Sequence, residues 1–480
     1  MNRRIVCRVI GMVLLIEALF MIIPTVISLC ERTNKTTLSF VSSIAIAALI
    51  GLALLAIARK PEKDFYIAES FTATGLSWIS ISVVGALPFY FSGSIPSYID
   101  SLFEVVSGFT TTGASILSDV EALPDALLYW RSFTNWLGGM GMLVFLLALL
   151  PAIAKNSGSA INLMRAESPG PSVGKLTPKL RNTAVTLYTI YISLTVICIL
   201  FLWAGGMPLF ESLCTGLSTA GTGGFAIKND SMAGYSTYLQ NVVAVFMLLF
   251  GVNFNIYYLV LIRRFGDVIR DEEFKLYILI VAVSTAMISI NVMSMFDSFV
   301  TAVQQSFFQV SSIITTTGFA TTDFNLWPAL SKCILLILMV LGGCAGSTSG
   351  GLKMIRALIL LKSVKRNIQK SLNPRSTKVI QLNGNVLEEQ TVINTNAYFI
   401  ICFCIILFSY IIISFDNLSM ETNISAVVTC FNNIGPGFDE VGATENFSVF
   451  GSVSKIVLII DMLLGRLEIF PILAIFLRKR

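Results

Sequence analysis

A chain of 480 residues, 55% hydrophobic and only 13% charged, reads as a polytopic membrane protein. It has no histidine and its nine cysteines are scattered, so the commonest general base and the commonest metal ligand are missing or unclustered, which argues against an intramembrane enzyme. The net charge of +5 matters less than where the charges lie.

Apolar blocks long enough to cross a bilayer predict ten helical spans near 5–29, 38–58, 68–91, 131–153, 183–204, 236–262, 274–295, 328–361, 393–415 and 451–477. The first follows a short basic start but carries Glu17 and no small-residue cleavage site, so it reads as a retained helix rather than a signal peptide. Glu17 is expected to cap or pair structurally. Lysine and arginine gather in Asn2–Arg4, Arg59–Lys63, Lys155–Arg181, Arg263–Lys275, Lys362–Lys378 and Arg478–Arg480, which assigns those segments and both termini to the cytoplasm. The opposite loops hold a single lysine, Lys228, together with Asp100, Glu104, Asp119, Asp125, Asp230, Asp323, Asp439 and Glu440, so the outer face reads as acidic.

Four outer loops are too long and too apolar to be plain connections. Each opens on a turn, continues apolar for about three helical turns and breaks at glycine: "LFEVVSGFTTTGAS" (102–115), "LFESLCTGLSTAGTGGFA" (209–226), "FFQVSSIITTTGFATTDF" (307–324) and "SAVVTCFNNIGPGFDE" (425–440). Such stretches suit re-entrant helices, and their recurrence at about a hundred residues implies four repeats of span, pore helix, glycine loop and span. The chain then divides into an N-terminal helix pair (1–64), a first repeat (65–154), a cytoplasmic linker with the second repeat (155–262), a third repeat with an interrupted second span (263–378) and a fourth repeat (379–480). Irregular backbone at membrane depth survives only where protein buries it or water wets it, so the four loops are expected to meet at one axis. There, a ring of carbonyls can replace the hydration shell of a monovalent cation. The alternative is that threonine and glycine merely allow close helix packing.

These motifs, "TTTGAS", "STAGTGGF", "TTTGFATTDFNLWP" and "NNIGPGFDEVG", resemble the Trk/Ktr superfamily of potassium transporters, in particular its TrkH-type membrane subunits. The resemblance extends over nearly the whole chain, with "GGCAGSTSGGLKMIR" (342–356) and "AESPGP" followed by "VGKLTPKLRNTA" in support. It implies filter glycines at Gly113, Gly223, Gly318 and Gly435, with oxygens from Thr111, Thr112, Thr222, Thr316, Thr317, Asn433 and Ile434. In the second loop either Gly221 or Gly223 can occupy the ring, the "GGF" match favouring Gly223.

The run Gly342, Gly343, Cys344, Ala345, Gly346, Ser347, Thr348, Ser349, Gly350, Gly351 is expected to unwind its span near mid-membrane, and the resemblance implies that it is a gate beneath the filter; the alternative is a tight helix crossing. Within "DMLLGRLEIFP", Arg466 is implied to stand in the pore as a barrier to cations, unless Glu468 or Asp461 neutralises it. The basic segments 155–182 and 362–378 suit either anionic lipid headgroups or, by resemblance, a cytoplasmic nucleotide-binding ring subunit of TrkA type. No phosphate-binding loop occurs in this chain, so it is expected to bind no cofactor and no nucleic acid of its own. The resemblance further implies a homodimer in the bacterial inner membrane, with K+ as the transported ion. A proton- or sodium-coupled symporter is the alternative; it needs a carboxylate relay, for which only Glu17, Asp461 and Glu468 are available.

Overall fold

A computed structural model describes residues 3–58, 67–141, 180–375 and 378–476. The basic segment 59–63, most of 155–182 and the final 478–480 lie outside the described residues, as does the second half of the span predicted at 131–153.

Apart from one two-stranded hairpin, the described elements are helical. In chain order they are α1 (Arg3–Phe20), α2 (Ile22–Cys30), α3 (Asn34–Ile57), α4 (Ile67–Gly85), α5 (Leu87–Ser92), α6 (Tyr98–Phe109), α7 (Asp125–Met140), α8 (Leu180–Ala204), α9 (Leu209–Gly221), α10 (Thr237–Phe250), α11 (Phe254–Leu261), α12 (Phe265–Arg270), α13 (Glu272–Val292), α14 (Phe299–Ile314), α15 (Ala329–Val340) and α16 (Met354–Leu372). There follow β1 (Gln381–Leu382), β2 (Asn385–Val386), α17 (Glu389–Ile413), α18 (Met420–Asn432), α19 (Ser452–Arg466) and α20 (Phe470–Phe476).

Six of the predicted spans are single helical runs long and apolar enough to cross a membrane: Arg3–Cys30, Asn34–Ile57, Glu69–Ser92, Ala184–Ala204, Glu272–Met295 and Glu389–Asp416. The second span of every repeat is different, because it breaks. The helix at 131–153 stops at Gly141, whose φ of +79° is open to glycine. That at 236–262 bends by 91° between α10 and α11. The third is interrupted between Val340 and Met354, and the fourth between Arg466 and Phe470, where Glu468 and Ile469 both take positive φ. Tyrosine hydroxyls take up carbonyls near the first two breaks: Tyr188 donates to the Gly141 carbonyl at 2.8 Å and Tyr257 to that of Leu249 at 2.5 Å. Broken backbone is thereby satisfied by protein.

The packing order is cyclic. Each short pore helix, α6, α9, α14 or α18, packs against the first span of its own repeat and against the second-span segment that follows it. Each second-span segment also packs on the next pore helix: α7 on α9, α10 on α14, α15 on α18 and α19 on α6, which closes the circle. The helix pair α1 and α3 packs outside this circle, mainly against each other and, through α1, on α4. Glu17, expected to cap or pair, does neither among the described residues: it is fully buried on α1, and neither carboxylate oxygen has a hydrogen-bond partner there.

Candidate ion pathway

The pore helices start and stop for local reasons. Ser97, Ser298 and Ser419 cap the backbone N–H groups of Asp100, Val300 and Thr422, and Pro208 precedes α9. Acidic Asp100, Glu211 and Glu421 sit in first turns, where the helix dipole favours them.

All four helices stop in one way. Thr111, Thr222, Thr316 and Asn433 take left-handed backbone with φ of +56°, +53°, +55° and +56°. Their N–H groups donate to the carbonyls of Gly108, Thr219, Ile313 and Cys430, and the next N–H groups, of Thr112, Gly223, Thr317 and Ile434, donate five residues back to Ser107, Ser218, Ser312 and Thr429. This is the Schellman pattern, usually built on glycine. Three β-branched threonines in that conformation are costly and mark backbone held in place by its surroundings.

The shared pattern fixes the register between repeats. Thr112, Gly223, Thr317 and Ile434 are equivalent, and the glycines after them are Gly113, Gly224, Gly318 and Gly435, all at positive φ. The second loop therefore differs from the expectation: Gly221 is the last residue of α9, Gly223 stands where the other loops have Thr or Ile, and Gly224 takes the ring position.

Four contacts close this ring. A Cβ on Gly113 would lie 2.2 Å from the Gly223 carbonyl oxygen, one on Gly224 1.9 Å from that of Thr317, one on Gly318 2.2 Å from that of Ile434, and one on Gly435 2.8 Å from that of Thr112. Each loop thus sets the carbonyl before its glycine against the glycine of the preceding loop, and no side chain fits without displacing backbone.

Next to the ring, residues of the run 342–351 and Arg466 come together. The Gly350 N–H donates to the Thr316 hydroxyl at 2.6 Å, and a Cβ on Gly350 would meet the Asn432 carbonyl at 2.6 Å. Arg466 donates to the Thr111 hydroxyl at 3.2 Å, to the Thr348 carbonyl at 2.8 Å, to the Gly139 carbonyl at 2.7 Å and to that of Gly138. The carboxylates considered as its neutralising partners are engaged elsewhere. Glu468 is paired with Arg356, whose guanidinium also lies 4.1 Å over the Tyr398 ring, and Asp461 accepts from Ser409 at 2.8 Å.

The interrupting loop is itself tied down. Its Cys344 and Thr348 N–H groups donate to the Gly251 and Phe250 carbonyls at the bend of the second repeat, and its Gly346 carbonyl accepts from Phe254. Glu273, at the start of α13, takes the N–H groups of Ala345 at 2.6 Å and Ile355 at 3.0 Å on one carboxylate oxygen. The sequence gives no sign of this role, because an acidic residue in the first turn of a helix is ordinary.

Glu104 also departs from its expected place. It is fully buried rather than part of an acidic surface, and forms an ion pair with Arg131 at 2.7 Å. Among the described residues no group of three or more cysteine, aspartate or glutamate side chains could hold a metal ion, so any cation here would meet carbonyl and hydroxyl oxygens.

Comparison with known proteins agrees with this architecture. Residues 37–479 match the family model described as "TrkH: Cation transport protein". The Trk system potassium uptake protein TrkH of Salmonella typhimurium is 35% identical over 485 residues, covering 99% of both chains. TrkG of Escherichia coli, also named a Trk system potassium uptake protein, is 34% identical, covering 98% of this chain and 97% of its own. The crystal structure of the potassium transporter TrkH from Vibrio parahaemolyticus superposes with a TM-score of 0.86 at 30% identity, covering 98% of each chain. With its cyclic order of pore helices and broken spans, and a family match over nearly its whole length, this chain belongs to the TrkH family of cation transport proteins, which are transporters and not enzymes.

Proposed function

We propose that this protein takes up potassium across the bacterial inner membrane through one gated pore per chain. The observation that carries the reading is the closed ring in which the Thr112, Gly223, Thr317 and Ile434 carbonyls each abut a glycine of the neighbouring loop. Carbonyls held that way are the arrangement that substitutes for the hydration shell of a monovalent cation, and hydroxyls of the left-handed threonines extend the oxygens toward the gate loop. On this reading Gly342–Gly351 obstructs the path below the filter, and Arg466 adds a positive barrier and ties that loop to Thr111. Gating falls to a cytoplasmic nucleotide-binding ring of TrkA type, and the working unit is a homodimer. The named function of the relatives, potassium uptake, supports the choice of ion.

A coupled symporter has less behind it, because two of its three carboxylates are held, Glu468 by Arg356 and Asp461 by Ser409, and the third, the buried Glu17, lies on α1 outside the circle of pore helices. The test is the reversal potential of purified protein in liposomes under a potassium gradient. Without sodium, a channel-like pore gives the potassium Nernst potential whatever the proton gradient; with sodium present, its reversal potential stays between the potassium and sodium Nernst potentials. A reversal potential that moves with the proton gradient, or falls outside that interval, rejects the pore in favour of coupling.

A further inference from the structure

The four junctions of the ring are tied in different ways. Between the first and second loops lies a buried cluster centred on Glu104 of α6 and Arg131 of α7. The Glu104 carboxylate accepts from the Arg131 Nε at 2.8 Å, from the Ser115 hydroxyl at 3.0 and 3.1 Å and from the Ile116 N–H at 3.0 Å. Ser115 and Ile116 follow Gly113 closely, so this carboxylate fixes the outgoing limb of the first loop. The same guanidinium reaches across to the second loop. Its Nη1 donates to the Ala226 carbonyl at 3.0 Å, and its carbon lies 4.1 Å over the Phe225 ring. Phe225 and Ala226 directly follow Gly224.

In register, the positions of Glu104 in the other repeats are Thr215, Gln309 and Ala426. Only Gln309 is placed to do similar work, and its amide reaches the Thr322 carbonyl at no better than 3.5 Å. A guanidinium can bridge two loops in this way because its planar fork engages a carboxylate and a carbonyl at once and lies flat on an aromatic ring.

We propose that Arg131 is a positioning residue for cation selection, holding the first and second filter loops at the spacing that places the Thr112 and Gly223 carbonyls in the ring. This rests on reading the ring as the filter. The pair is buried, with Arg131 at the wall of the cavity that Gly113, Gly224, Gly318 and Gly435 also line, and it acts through the loops it ties.

Three variants in liposomes test it: Arg131→Lys, which keeps the charge for Glu104 but loses the fork; the charge-balanced double variant Glu104→Gln/Arg131→Met; and Gly113→Ser as a direct lesion of the ring. Potassium and sodium flux are measured per folded molecule, with folded yield from size-exclusion chromatography. The expected result is a fall in the potassium-to-sodium ratio of ~3- to 10-fold in Arg131→Lys and in the double variant, as expected for the loss of a charged cross-loop hydrogen bond. Lower thermal stability with the wild-type ratio means the cluster is structural, and overturns the proposal. A ratio that falls in Gly113→Ser but holds in both clamp variants likewise rejects the clamp and leaves the filter reading standing. If all three keep the wild-type ratio, the filter reading fails and the clamp with it. Should Arg131→Lys fail to fold, the double variant decides, since it leaves no unpaired buried charge.

Discussion

Arg466 donates to the Thr348 carbonyl at 2.8 Å, which joins the end of the fourth repeat to the middle of the loop that interrupts the third. Through its other donors the same side chain reaches Thr111, at the foot of the first glycine loop, and the carbonyls where α7 ends. One guanidinium therefore ties its own repeat to two others, the first and the third, next to the ring.

Replacing Arg466 by alanine removes a positive charge from the proposed passage and one anchor of the loop 342–351 together. Cation flux per folded molecule is expected to rise roughly tenfold or more, since even a well-screened charge a few ångströms from the path contributes a barrier of several RT. Three backbone carbonyls lose a donor, so stability should fall by something like ~1–3 kcal/mol. Liposome flux and thermal stability measured together check both. Reduced stability with unaltered flux would defeat the barrier role.

The second loop offers a sharper test of register. A side chain at Gly224 meets the Thr317 carbonyl, which is backbone, and the position has φ of +65°. At Gly223 the three atoms nearest to an added Cβ all belong to the Asn135 side chain, at 2.3 to 2.6 Å. Gly224→Ala is therefore expected to lose potassium selectivity by ~10-fold or more, whereas Gly223→Ala combined with Asn135→Ala keeps most of it. The reverse ranking in potassium and sodium flux assays would return the ring position to Gly223.

Much of this arrangement is legible in the sequence, because glycine runs and span-length apolar blocks have one physical meaning in a membrane. The four pore helices and the run at 342–351 follow from composition and spacing. The second ring glycine does not, since "GTGGF" offers three glycines and the local "GGF" match favours Gly223. Counting from the helix caps resolves it. Ser97 to Thr111, Pro208 to Thr222 and Ser419 to Asn433 are equal intervals, while Ser298 to Thr316 is about one helical turn longer. Partner choice among buried charges is beyond local reading. Arg356 is 112 positions from Glu468, and Glu104 looks like any outer-loop acid until α7 brings Arg131 against it.

The loop after the fourth filter segment carries an acid-sensitive tie. Asp439 accepts hydrogen bonds from the Ser419 and Thr422 hydroxyls, which hold its carboxyl below the usual carboxylate range. A depressed folded pKa contributes stability that is present above the unfolded value and lost as pH falls through the folded one. Melting curves of the wild type should therefore show an acid-dependent loss setting in below about pH 4, and Asp439→Asn should flatten that part of the profile. An identical acid profile in Asp439→Asn would assign the loss to other carboxylates.

The last prediction concerns Glu273, whose single carboxylate oxygen receives the N–H groups of Ala345 and Ile355, on either side of the stretch Gly346–Met354. That stretch includes Thr348, Ser349 and Gly350, the residues nearest Thr316, Asn432 and Arg466. Holding both ends on one acceptor fixes the loop's width, and so keeps its tip beneath the ring. Glu273→Ala leaves two buried N–H groups without that partner and lowers the cost of displacing the loop. Flux without any cytoplasmic partner should then rise by ~3-fold or more, whereas Glu273→Gln, which keeps an oxygen acceptor in place, should change it little. Alkylation of the buried Cys344 thiol, followed by peptide mass spectrometry, gives a second readout and should speed up in Glu273→Ala alone. Deleting several residues within Gly342–Gly351 is the control for the gate itself. If the deletion raises flux while Glu273→Ala leaves both flux and Cys344 labelling at wild-type levels, the loop is a gate that Glu273 does not hold. If neither change raises flux in folded protein, the loop is packing, and the obstruction lies elsewhere along the path.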